Sequence, residues 1–159
     1  MSMQTDCIYG YGFKVCASDE QLKHFILAHK ESLVPLNSEN GLENQGRELV
    51  EYCENTPDVK FNPKEDKFDY VSGMTGLSGV YGAIADVMMA ETGIRFAYYA
   101  DSEDINDGDA ILFETAMPWQ FNDKEISLTE EELEDICNRY IKELNPSLTF
   151  DQIRMEYFG

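Results

Sequence analysis

The chain has 159 residues, 43% of them hydrophobic and 12% aromatic, which places it among folded globular proteins and outside the disordered class. It carries 31 Asp and Glu against 12 Lys and Arg, a net charge of −19, and this excludes direct binding to nucleic acid or an anionic membrane, where basic residues must neutralise phosphates. With no apolar run of 18 residues and no basic-then-apolar leader, a cytoplasmic location without a membrane span is expected.

Residues 7–15, CIYGYGFKV, alternate: Cys7, Tyr9, Tyr11, Phe13 and Val15 share one face, and Ile8, Gly10, Gly12 and Lys14 the other. This predicts a strand whose second face is nearly bare, so that another backbone can approach it closely. In SDEQLKHFILAH, Ser18 followed by Gln21 predicts a capping box, with Leu22, Phe25, Ile26 and His29 on the inner face of the helix. Residues 34–70 are polar and interrupted by Pro35, Pro57 and Pro63, with a helix expected near 41–54 on Leu42, Leu49, Val50 and Cys53. A largely buried helix is predicted over 79–92, with Ser78 as N-cap and Gly93 just past its end.

IRFAYYA and AILFET read as strands, and Asp107-Gly108 between them favours a hairpin. SLTEEELEDICNRYIKEL follows as a helix, with Leu133, Ile136, Cys137, Tyr140 and Leu144 inward and Pro146 beyond its end. TFDQIRMEYF alternates again and reads as a final strand. The order predicts a single α+β domain over residues 1–159: an antiparallel or mixed sheet of about four strands with helices packed on it.

Motifs that would carry chemistry fail one by one. If Gly108 is the glycine of a calcium loop, Glu114 takes the bidentate position, but Ile105 falls where the third position needs an oxygen. A solvated hairpin loop is the stronger reading, and a metal-binding module on residues 101–109 the weaker one. Gly73, Gly76, Gly79 and Gly82 match no phosphate-binding pattern. Gly79, Gly82, Ala83 and Ala90 instead form a small-residue stripe suited to packing on the glycine face of the first strand, with Asp86 interrupting it. GLSGV around Ser78 has Val80 where a nucleophile elbow needs glycine. His24 and His29, five apart on one helix, diverge by about 140° and cannot share a metal. Cys7, Cys16, Cys53 and Cys137 lack zinc spacing and read as reduced, mostly buried thiols. No catalytic residue, metal site or cofactor is expected.

The charge itself remains. Residues 101–159 hold 16 acids and 4 bases, −12 of the −19. The excess gathers in the loop, at Asp101, Glu103, Asp104, Asp107 and Asp109, and at the start of the last helix, at Glu130, Glu131, Glu132, Glu134 and Asp135. Acids in a first helical turn complement the helix dipole, which accounts for part of the second cluster and none of the first. Between the clusters, MPWQF carries Trp119, suited to a core lid or to an interface anchor.

IYGYGF, MAETGIRFAYY, PWQFNDKEISLTEEEL and the terminal EYFG together resemble small acidic proteins of unassigned function from phages and mobile elements of Gram-positive bacteria. The resemblance skips residues 34–70 and brings no chemistry with it. In size and acidity the chain is also similar, by type, to anti-CRISPR and other anti-defence inhibitors, some of which mimic nucleic acid. The expected function is therefore a non-enzymatic inhibitor of a basic nucleic-acid-handling protein, such as a CRISPR effector or another nuclease. The eleven residues of the two acidic clusters and Trp119 would meet that partner. The alternative is a phage housekeeping or structural protein whose acidity serves solubility.

Overall fold

The alternation at the start of the chain is realised as β1 (Thr5–Lys14), which lies inside a four-stranded sheet in the computed structural model. That structure describes residues 5–35, 45–61, 76–99, 109–115 and 121–158, with the backbone alone at 5–8, 45, 76–79 and 155–158. They divide into two compact units, Met1–Cys16 with Gly93–Gly159, and Ala17–Thr92.

The first unit holds the sheet. β2 (Phe96–Tyr99) and β3 (Ala110–Glu114) form the hairpin expected around Asp107-Gly108, whose own turn lies outside the described residues. β4 (Phe150–Phe158) closes the order β2-β3-β1-β4, antiparallel throughout. The fold is therefore α+β with an antiparallel sheet. One face buries Phe13, Phe96, Ile111 and Phe113; on the other, Ala110, Leu112 and Ile153 cluster with Tyr99 against them. The second face stays thin because β1 contributes Gly10 and Gly12 there. Within the sheet, β3 crowds both glycines: a Cβ at Gly12 would lie 1.9 Å from the Ile111 carbonyl oxygen, and one at Gly10 2.6 Å from that of Phe113.

α6 (Glu130–Leu144) packs on β1 and β4. It buries Leu133, Cys137, Tyr140, Ile141 and Leu144, whereas Ile136, expected inward, is only partly buried. Positions 133, 137, 140, 141 and 144 form one narrow helical stripe, and Ile136 sits on its border. Beyond the helix, the Asn145 side-chain amide donates to the Cys16 carbonyl at 2.8 Å.

The second unit is helical: α1 (Asp19–Ala28), α2 (Lys30–Leu33), α3 (Gln45–Asn55) and α4 (Gly76–Thr92). Both halves of the Ser18–Gln21 capping box form, at 3.1 and 2.9 Å. Leu22, Phe25 and Ile26 are buried, as are Leu49, Val50 and Cys53 of α3; Leu42 lies outside the described residues. α4 begins at Gly76, so Ser78 lies inside its first turn and is not the N-cap. Capping signals place a helix end only to within a residue or two, and the helix here extends past the first candidate it meets. Past Thr92, Gly93 takes φ 75°, the left-handed conformation expected of a residue just beyond a helix. Within the small-residue stripe of α4, Gly82 and Ala83 are partly buried while Asp86 and Ala90 are exposed.

Candidate protein-binding surface

Thr129 caps α6 by accepting the Glu132 N–H at 3.1 Å, and its hydroxyl donates to Glu132 Oε1 at the same distance. One acid of the cluster is thus occupied with holding the helix start. Glu130, Glu131, Glu134 and Asp135 are all exposed; Glu131 and Asp135 lie well away from the buried stripe, Glu134 borders it, and Glu130 stands in line with it in the first turn, ahead of Leu133. At 100° per residue these four span about 140° of the helix surface. The exposed bases Arg139 and Lys142 enter only further along the helix. The arc is a dense negative surface on a rigid, capped element.

The loop cluster meets the structure at one residue. Asp109 stands at the foot of the hairpin, where its carboxylate accepts the Tyr98 hydroxyl at 2.8 Å and its carbonyl accepts the Val15 N–H at 2.8 Å. Asp101, Glu103, Asp104, Asp107 and Trp119 lie outside the described residues. Of the MPWQF segment, Phe121 is described; half-buried, its ring packs 5.0 Å from that of the buried Phe113.

Sequence reasoning missed Glu125. It lies in α5 (Asp123–Ile126), where Asn122 and Glu125 form a second capping box. Its side chain is fully buried beside Arg95, the residue before β2. It accepts the Asn122 N–H at 2.8 Å, the Arg95 N–H at 2.8 Å and the Arg95 guanidinium at 3.1 Å. Burial alone would raise the carboxyl's pKa. The two backbone donors and the guanidinium outweigh it and hold the group below the usual carboxylate range. The signal is present as N-D-K-E, a capping-box spacing outside the longer helical patterns.

Two other polar groupings gather side chains capable of chemistry. In the helical unit, Glu91 Oε2 receives the Ser32 hydroxyl at 2.6 Å and stands 2.9 Å from His29 Nδ1. Activation of a serine needs the imidazole as its acceptor, and here the hydroxyl is given to the carboxylate instead. The cluster ties α2 and the end of α1 to α4, with the His29 ring 4.4 Å from that of Phe25; His24 is exposed. In the sheet unit, a recess of about 210 Å³ opens among Lys14, Ser147, Thr149 and Asp151. Small-molecule sites usually begin near 300 Å³. Among the described residues, no group of three His, Cys, Asp or Glu side chains is placed to hold a metal.

Burial pushes the Cys53 and Cys137 thiols up to about 12, whereas Cys16 is exposed. At pH 8, a thiol-alkylating reagent is therefore expected to modify Cys16 in the native protein and to reach Cys53 and Cys137 only after unfolding. Peptide mapping by mass spectrometry reads the order, and early labelling of Cys137 would contradict the burial of α6.

No protein-family model, curated protein or solved structure matches this chain. The surface must be read from its own residues. Among the described residues, no helix is long and apolar enough to cross a membrane.

Proposed function

We propose that this protein is a non-enzymatic acidic inhibitor that acts in the cytoplasm on a basic nucleic-acid-handling protein, such as a CRISPR effector or another nuclease. The observation that carries the reading is the arc of Glu130, Glu131, Glu134 and Asp135, exposed together on the capped start of α6 in a chain of net charge −19. Helix-dipole complementarity explains acids in the first turn, but Glu134 and Asp135 stand in the second. Duplex DNA presents one charge per about 1.7 Å of axis, so closely spaced carboxylates on a rigid helix can compete for a groove shaped to phosphates. The negative field also speeds encounter with a basic partner.

Tagged protein is to be incubated with host lysate at about 50 mM and about 500 mM salt, a range across which phosphate-like contacts weaken sharply. Recovered proteins are identified by mass spectrometry. A basic nucleic-acid enzyme held at low salt and lost at high salt is the expected result. Replacing Glu131, Glu134 and Asp135 together by lysine should weaken that complex at least about tenfold, with Glu132 left in place to cap the helix. A neutral partner retained equally at both salts, or binding indifferent to the triple change, would reduce the charge to an aid to solubility.

A further inference from the structure

Two hydrogen bonds establish which way the β1 backbone faces. The Thr115 N–H donates to the Tyr9 carbonyl at 2.9 Å, and the Val15 N–H to the Asp109 carbonyl at 2.8 Å. Odd-numbered β1 residues therefore turn their backbone groups toward β3, and even-numbered ones toward β4. The register sets Gly10 opposite Ile153 and Gly12 opposite Asp151. It follows that Asp151, Ile153, Met155 and Tyr157 bond back to β1, while Phe150, Gln152, Arg154, Glu156 and Phe158 turn N–H and C=O away from it. Gln152 agrees: its N–H goes to its neighbour, Asp151 Oδ1, at 2.8 Å.

An outward row of backbone donors and acceptors is a template for another strand, and proteins blunt such edges with short strands, proline, charged side chains (lysine above all) or bulges. The opposite edge, β2, is only four residues long. β4 runs nine residues with no proline, no lysine and no break in its register with β1, and no strand among the described residues covers its outer side.

We propose that the outer edge of β4 pairs antiparallel with β4 of a second copy of this chain, about a two-fold axis. Charge complementarity selects both occupant and register. With Arg154 opposite the second copy's Glu156, the two-fold creates two opposite-charge pairs, and residues 152–158 of the two strands overlap. A shift to the next register that matches outward groups sets Arg154 against Arg154 in one direction, or Glu156 against Glu156 in the other. Like charges directly opposite on paired strands are unfavourable. Arg154 is exposed on this strand, with its guanidinium carbon 5.6 Å from the centre of the exposed Tyr9 ring. Because each copy carries −19, added salt screens their repulsion and strengthens the pair. Binding to a basic partner through α6 has the opposite salt dependence.

Sedimentation velocity on the full chain, over a range of concentrations at low and high salt, tests the pairing. A dimer favoured by salt is expected. Arg154→Glu and Glu156→Arg should each weaken it at least about tenfold, by placing like charges opposite. The double exchange R154E/E156R should restore it, and mixing the two single variants should give a heterodimer that neither forms alone. Should a single variant fold poorly by circular dichroism, Glu156→Pro serves instead, because it removes an outward N–H that β1 does not use at the centre of the proposed pairing, and it should leave a monomer. A wild-type chain that is monomeric at every concentration and salt overturns the proposal. So does a dimer indifferent to these changes, or a mixture of single variants that stays apart.

Discussion

Replacing Glu125 by alanine is expected to lower stability by about 3 kcal/mol, since two backbone donors and a guanidinium lose their shared acceptor. The Asn122 and Arg95 N–H groups converge on this one carboxylate, and no water can easily replace it at a fully buried position. Arg95 differs because its side chain is 46% exposed and can return to solvent. Its loss still leaves a buried carboxylate with two amide donors. Glu125→Gln keeps an acceptor for the amides without the charge and should fall between the alanine variant and wild type. Thermal or denaturant unfolding reads the order. An alanine variant within about 0.5 kcal/mol of wild type would mean that α5 is not anchored through this group.

The same group gives a pH signature. Its folded-state pKa lies below the ordinary 4.5. The stability it contributes is therefore fully present above about pH 4.5 and is lost as pH falls through the lower folded value. Glu125→Gln should flatten this part of the acid limb of the stability curve. Arg95→Ala raises the folded pKa by removing the cation, and should narrow the same window.

Gly12→Ala is expected to be at least as damaging. The new Cβ would stand 1.9 Å from the Ile111 carbonyl oxygen, 2.9 Å from its carbon and 3.0 Å from the Leu112 Cα. All three atoms are backbone, so no rotamer change relieves the overlap, and β1 and β3 must move apart at the middle of their ladder. A cost of about 3 kcal/mol or more, or a drop of about 10 °C in Tm, is expected. Gly10→Ala, at 2.6 Å from the Phe113 oxygen, should cost less. A G12A chain that melts with wild type would show that β3 does not crowd β1 here.

Features set by neighbours in the chain are legible in the amino-acid order alone. Ser18 and Gln21 announce their capping box because both partners lie within one turn. The hairpin follows from two strands separated by a short polar stretch, and the exposed arc of α6 from a period of 3.6 acting on Leu133, Cys137, Tyr140 and Leu144. Glu131, Glu134 and Asp135 are therefore recognisable as surface from their spacing, whereas Glu130 falls in line with the apolar stripe and is exposed as the first residue of the helix. Asp109, which shares their charge pattern, is also bound to Tyr98, a partner eleven residues away that the pattern gives no reason to choose.

Sequence by itself determined the α+β class, the kinds of element and the negative balance, because propensity, caps and charge are summed residue by residue. Only the tertiary structure decided the strand order, which seats β1 between β3 and β4 and leaves β4 at the edge. It also showed that β3 carbonyls crowd Gly10 and Gly12 within the sheet, and that Glu125 reaches Arg95 thirty residues away. These depend on which distant segments pair, and distant pairing reflects the packing of the whole chain, which no local window contains.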